Sequence, residues 1–559
     1  MGTSPSTADQ AHQRPYRHLA RLGPLWIGGL ATVCVLATIS PSAGPGITVD
    51  EFYDVAAGKR LVHAWQTHHL GFFRFDEIDR TFGPLTRHPP LGRWLLGWTH
   101  AMFDPRPENP DLVSVVAGRF APAVAFGGLV VLLGWTTARV AGNASGAAAA
   151  AGVALVPRIF GHAHLATLDT FTALFYVVAL VALGEALRRD GHAGWFALAG
   201  VAWGLAMLTK LHGLLLFVPC SVVMVWFLRR RVLGPWLVWA FCGAFTFFAG
   251  WPWLWPSPLA RFREFLGTST QRTSLHVFYL DRVWQDHAVP WHYPWIMLLV
   301  TIPVGLLVLG MIGVVVDRHR WATEPLHALL AAGALWMLVV FSLPGVPVYD
   351  GIRLFLMVPA IWAFPVGLGA GWMITEINRR RLGRGVCALV PIFILLQGIG
   401  IVAMHPFYLS HYSLLLGGLR GAERLGFEAT YWGDAVNGRL LESAVTTAPR
   451  QDVLFAPHLA PFQAGAVEAS SPELALAGTH LVGWNAAAAG SARGCRYALV
   501  YRRQADFSGL GFLLDSGVVV DENARQGVWL ARLYRLPASA EELFRRSRLG
   551  SKNSNLHAR

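Results

Sequence analysis

Leu205–Phe227 reads LAMLTKLHGLLLFVPCSVVMVWF. Only Lys210 and His212 interrupt an apolar run of the length that crosses a hydrocarbon layer of about 30 Å. Trp295–Val316 is a second such run. Outward from these, 54% of the 559 residues are hydrophobic and only 14% are charged. Ordinary soluble domains carry about 25% charged residues. The composition excludes a disordered chain, a collagen, a small disulfide scaffold and a cytosolic enzyme, and defines a polytopic α-helical membrane protein.

Spans are predicted at 22–39, 113–138, 141–157, 168–187, 192–209, 211–228, 233–250, 294–316, 325–343, 352–375 and 385–404, eleven in all. Residues 1–21 form a polar N-terminal segment, and 22–404 form the membrane domain. A soluble α/β outer domain is expected over 405–559, with strand-like runs at Asp452–Ala456, Tyr497–Tyr501 and Val528–Leu536 and a disordered tail from Arg545. With the N-terminus inside, the inner connections hold Arg139, Arg188, Arg189, Arg229–Arg231, Arg318, Arg320, Arg379–Arg381 and Arg384. The short outer ones hold only Arg158, Lys210 and Arg353. That is the bias of a membrane protein whose N-terminus is cytoplasmic, and it places the long loops 41–112 and 251–293 outside. Residues 50–66 and 92–103 read as helices at the interface, and Trp251–Pro256 as an aromatic belt.

The net charge of +13 belongs to those loops, and no basic soluble face suggests nucleic acid as a partner. Five scattered cysteines without a Cys-x-x-Cys pair exclude a disulfide framework and a thiolate zinc site. Only Lys59, Lys210 and Lys552 among 46 basic residues are lysine, a bias associated with GC-rich bacterial genomes.

Ionisable groups beside spans are functional candidates by default, because burying them is costly. Here they come from distant stretches yet fall on one side of the membrane: Asp50 and Glu51, His88, Arg119, Arg158, His162, His164, Asp169, Lys210, His212, Asp350 and Arg353. Each has a bland alternative. Asp50 could cap the following helix, His88-Pro-Pro could be a rigid turn, and Arg353 or Lys210 could snorkel to headgroups. His162-x-His164 has a spacing that a metal could use, but no third ligand is evident. Arg119 needs a partner such as Asp169 or Asp350. Together they suggest one outward cavity with carboxylates, imidazoles and cations. Sugar transfer from a lipid-linked phosphate needs a base for the acceptor hydroxyl and cations for the leaving phosphate. The alternative is a transporter or flippase for a lipid-linked or anionic substrate, but no internal repeat of the kind common in transporters is visible.

The ordered set Asp50-Glu51, Arg87-His88-Pro-Pro-Leu91, Thr167-Leu-Asp169, Leu208-Thr-Lys210 and Gly351-Ile-Arg353 resembles the protein O-mannosyltransferase and aminoarabinose transferase group (glycosyltransferase family 39-like) over about 1–404. That group lies in the C-type glycosyltransferase superfamily. His405–Tyr412 and Gly426–Asp434 are similar to bacterial members with a C-terminal outer domain. The resemblance implies an inverting glycosyltransferase of the bacterial inner membrane. Its partners would be a polyprenyl-phosphate sugar donor, a protein or envelope glycan or lipid acceptor, and membrane lipid. It makes Asp50, Glu51 and Asp169 the candidate catalytic acids, with Asp50 matching the base. His88, Arg119, His162, Lys210 and Arg353 are the candidate substrate-binding residues, with Lys210 and Arg353 beside the donor phosphate. A divalent metal is possible as cofactor, but Arg87 stands where aminoarabinose transferases have a metal-holding glutamate.

Overall fold

Helices stand at every position where a span is predicted. In this computed structural model the described residues are 22–85, 88–105, 112–189, 192–270, 274–484, 494–543 and 545. The N-terminal segment 1–21, Arg87 and the tail 546–559 lie outside them. Six helices are long and apolar enough to cross a membrane: Val115–Ala141, Asp169–Arg188, His212–Arg231, Leu233–Gly250, Met357–Arg379 and Arg384–Met404. Gly23–Leu36, Ala193–Met207 and Pro325–Val340 are apolar but shorter.

Two predicted spans take other forms. The stretch 294–316 is broken into Tyr293–Thr301 and Val304–Val316, which meet at 111°. Pro303 stands at the break; it has no N–H for a continuous ladder and disfavours helical geometry in Ile302 before it. The Ala/Gly-rich stretch 141–157 yields only Asn143–Ala154, 12 residues, or roughly 18 Å at 1.5 Å rise per residue. It packs where a Cβ on Gly146 would lie 2.6 Å from the carbonyl oxygen of Gly134. Small residues allow this close approach, the usual device where lipid supplies no hydrophobic drive between helices.

The described residues of the long loops 41–112 and 251–293 carry elements of their own. Residues 50–66 and 92–103 are the helices Glu51–His68 and Leu91–Phe103. Phe75–Phe82 and Pro258–Thr270 add two more, and β1 (His276–Tyr279) pairs antiparallel with β2 (Arg282–Gln285). The Trp251–Pro256 stretch is no lipid-facing belt. Trp251 and Trp253 are buried; Trp251 meets Phe247 and Phe265 edge-on, and Trp255 stacks on Phe73. The apolar loop helices offer these rings a drier contact than the interface does.

The C-terminal region carries a mixed five-stranded sheet. The predicted strands appear as β3 (Asp452–Ala456), β5 (Tyr497–Tyr501) and β7 (Val528–Arg535). They are joined by β4 (His480–Gly483) and β6 (Val518–Arg525) in the order β4-β3-β5-β7-β6. β3 pairs parallel with β4 and β5, while β7 pairs antiparallel with β5 and β6. β4 and β6 lack the apolar density of the other three, so composition does not expose them.

Candidate active site

Asp50 is the residue before helix Glu51–His68. The chain reaching it is held like a strand: Gly46 N–H donates to the Asp434 carbonyl and Val49 N–H to the Trp432 carbonyl. A Cβ at Gly46 would lie 2.1 Å from the Val436 carbonyl oxygen, so only glycine allows this approach. Asp169 is the first residue of its helix, where the helix dipole favours an acid. Lys210 lies in the break between helices Ala193–Met207 and His212–Leu215. Leu91 N–H donates to the Leu208 carbonyl, which ties the His88-Pro-Pro turn to that break. Arg353 starts a short 3-10 turn after Asp350 (φ 56°) and Gly351 (φ 66°), both left-handed. Glycine takes that conformation freely and aspartate tolerates it better than most residues.

These four residues form one ion cluster. Arg353 Nη2 donates to Asp50 Oδ2 at 2.6 Å, Nε to Asp169 Oδ2 at 3.2 Å and Nη1 to Asp350 Oδ2 at 2.9 Å. Lys210 Nζ donates to Asp169 Oδ1 at 2.6 Å. Trp432 lays its ring 3.9 Å from the Arg353 guanidinium carbon and donates its indole N–H to Asp50 Oδ2 at 3.1 Å. Cation–π contact of this kind holds a guanidinium in place without neutralising it.

The three candidate acids differ sharply. Glu51 is fully buried, and both its oxygens are occupied. Arg119 donates Nε to Oε1 at 2.7 Å and Nη2 to Oε2 at 2.8 Å. The backbone N–H groups of Thr48 and Ala166 add bonds of 2.8 and 2.7 Å. Arg119 also donates to the carbonyls of Ile39, Pro45 and Gly46. Its partner is therefore Glu51, not Asp169 or Asp350, and the pair pins the first loop to the segment before Asp169. Asp169 is 2% exposed and accepts from Lys210, Arg353 and Thr167. Asp50 alone has an accessible carboxylate, 41% exposed.

His162 and His164 do not share a site. His164 meets Thr38 Oγ1 at 2.9 Å and the Phe160 carbonyl at 2.8 Å. His162 packs edge-on against Trp432, and neither ring nitrogen has a hydrogen-bond partner in the protein. Burial holds its pKa down to about 3, so it backs the tryptophan as a neutral ring. His88 is half-buried, and burial together with the charges of Arg93, Lys210 and Arg353 holds it well below the usual imidazole range. Among the described residues no group of three or more His, Cys, Asp or Glu side chains is placed to hold a metal ion. Sequence reasoning offered Asp350 only as a partner for Arg119 and gave Trp432 no role in the site. Trp432 lay inside the Gly426–Asp434 motif, the only signal that pointed to it.

Residues 87–255 match the family model described as dolichyl-phosphate-mannose-protein mannosyltransferase. No curated protein matches the chain. Among solved structures, the apo form of ArnT from Cupriavidus metallidurans is similar at 14% identity over 91% of this chain and 97% of its own, with a TM-score of 0.50. The same ArnT bound to undecaprenyl phosphate gives 14%, 91%, 97% and 0.46. The archaeal oligosaccharyltransferase AglB from Archaeoglobus fulgidus, in complex with an inhibitory peptide and a dolichol-phosphate, gives 12%, 91%, 74% and 0.45. This chain is a multi-pass membrane protein with the C-type glycosyltransferase fold. Within that fold, residues 87–255 carry the sequence features of the mannosyltransferase family.

Proposed function

We propose that the protein is a membrane glycosyltransferase that moves a sugar from a polyprenyl-phosphate carrier to an acceptor hydroxyl, with Asp50 as general base. The observation that carries this reading is the contrast between Asp50, whose side chain is 41% exposed beside the part-buried Arg353, and Glu51 and Asp169, whose oxygens are both taken. Asp50 removes the acceptor's proton as the acceptor oxygen attacks the anomeric carbon. The bond from that carbon to the phosphate oxygen breaks, and the departing phosphate takes the electron pair toward Lys210 and Arg353. Among the described residues the other carboxylates that Arg353 touches, Asp169 and Asp350, are bonded at both oxygens, so one displacement with inversion fits best. Arg353 now holds Asp50, so an arriving phosphate that draws the guanidinium away also frees the base. The site opens on the outer face of the bacterial inner membrane, the donor is bound by residues 22–404, and residues 405–559 form the outer domain that completes the site through Trp432.

The test is turnover. Purified protein in sealed proteoliposomes receives a polyprenyl-phosphate sugar and envelope extract; mass spectrometry follows free polyprenyl phosphate and glycosylated acceptor, and a membrane-impermeant reagent follows the sidedness of intact donor. Release of both is expected. Movement of intact donor across the bilayer without cleavage would establish the transporter instead.

A further inference from the structure

Beside the cluster lies a small pocket walled in part by Arg158, Tyr293, Asp350, Gly351, Tyr412 and Tyr431. Arg158 is 1% exposed. Its Nε donates to the His411 carbonyl at 3.0 Å, and its guanidinium carbon sits 4.6 Å from the centre of the Tyr412 ring. Its Nη1 and Nη2 hydrogen-bond nothing in the protein, and neither does the Tyr431 hydroxyl. Asp350 is near at hand but already taken by Arg353 at Oδ2 and Arg503 at Oδ1. A Cβ at Gly351 would come within 2.3 Å of Arg158 Nη1, so glycine leaves room for the guanidinium edge.

A buried guanidinium with two free NH2 groups is costly unless something answers its charge. A guanidinium edge matches the paired oxygens of a phosphate or carboxylate. The geometry points to a second anion site: Arg158 Nη1 and Nη2, with the Tyr431 hydroxyl, take an oxyanion apart from Lys210 and Arg353. Asp350 forms the wall between the two sites. The occupant is an anionic group of the acceptor, held one residue away from the cations that receive the donor phosphate. Calling it the acceptor rests on the transfer reaction proposed above; the anion site itself does not.

The probe is labelled inorganic phosphate in equilibrium dialysis. Full-length protein is held in phosphatidylcholine nanodiscs at low ionic strength. One class of bound phosphate is expected to weaken at least tenfold in Arg158→Met, and to persist in Lys210→Met and under saturating polyprenyl phosphate. Wild-type binding by folded Arg158→Met, or loss of that class when polyprenyl phosphate is added, overturns the proposal. If Arg158→Met shows no cooperative thermal transition, Tyr431→Phe decides: severalfold weaker phosphate binding supports the site and unchanged binding refutes it. Arg158-dependent binding in a protein that transfers no sugar would keep the site and remove the reaction.

Discussion

At the scale of single residues, chemistry depends on which carboxylate can accept a proton. Asp50→Asn keeps the shape and the bonds to Arg353 and Trp432 but removes the base. Turnover is expected to fall on the order of 10²–10⁴-fold, the range of acid–base catalysis, while donor binding survives. Near wild-type turnover by Asp50→Asn beside a dead Asp169→Asn would transfer the role to Asp169. Lys210→Ala and Arg353→Ala act on the other reactant. Bonds to charged groups contribute about 1.5–3 kcal/mol each, so each variant should lose roughly ten- to hundredfold in kcat/KM for donor with its thermal transition kept. Normal kinetics in both would make them lipid anchors.

At the scale of elements, the site depends on ties between segments far apart in the chain. Glu51 and Arg119 are 0% exposed and joined by two hydrogen bonds, and breaking a buried pair leaves one bare charge. Arg119→Met should cost about 3–5 kcal/mol, and the double variant Glu51→Met/Arg119→Met should recover part of it in thermal unfolding. Equal loss in single and double variants would mean that the bonds from Arg119 to backbone carbonyls dominate. The β1–β2 hairpin is tied to the C-terminal region in a different way. Asp506 accepts from His276 at 2.9 Å and lies 3.0 Å from His458 and 2.6 Å from Arg503. Burial pushes its carboxyl up, but His458, Arg503 and His276 outweigh it and hold the group below its ordinary value. A lowered folded pKa means that the stabilisation is complete above the unfolded pKa of about 3.9 and is lost as pH falls through the folded one. The gap in melting temperature between wild type and Asp506→Asn should therefore be present at pH 5 and shrink below about pH 4. A gap that persists at pH 3 would show that the tie is not ionic.

At the scale of the whole molecule, the apolar helices, the loop helices and the sheet region meet at Asp50, Trp432 and Arg353. The site is complete only if Asp50, Trp253 and Trp432 share the outer side. Cysteines introduced at Asp50 and at the exposed neighbours Leu259 and Leu425 should label in intact spheroplasts with an impermeant maleimide. Labelling of position 425 only after the inner membrane is opened would reverse the topology. The sheet region belongs to the site through the two contacts Trp432 makes, on Arg353 and on Asp50. Gln463, on the helix after β3, also donates its amide to the Val49 carbonyl. Trp432→Phe keeps the ring and removes the N–H. A fall in kcat several times larger than any change in donor KM is expected, and an unchanged kcat would reduce the tryptophan to packing.

The sequence by itself determined the membrane class, the positions of the apolar helices and the gathering of charge on one side. Hydropathy and loop charge are sums over about twenty neighbouring residues, so they survive without knowledge of packing. It also named Asp50, Lys210 and Arg353. It did not show which oxygens of Asp50, Glu51 and Asp169 are paired, nor find the partner of Arg119, nor see that Pro303 breaks a span by 111°. Only the tertiary structure decided those points. Whether a carboxylate is free depends on donors that arrive from far away: Ala166 reaches Glu51 across 115 residues, Arg353 reaches Asp50 across 303 and Trp432 reaches Asp50 across 382. Adjacent acids such as Asp50 and Glu51 look alike in a string, yet they point apart on a helix. Packing closed one around Arg119 and left the other open to solvent.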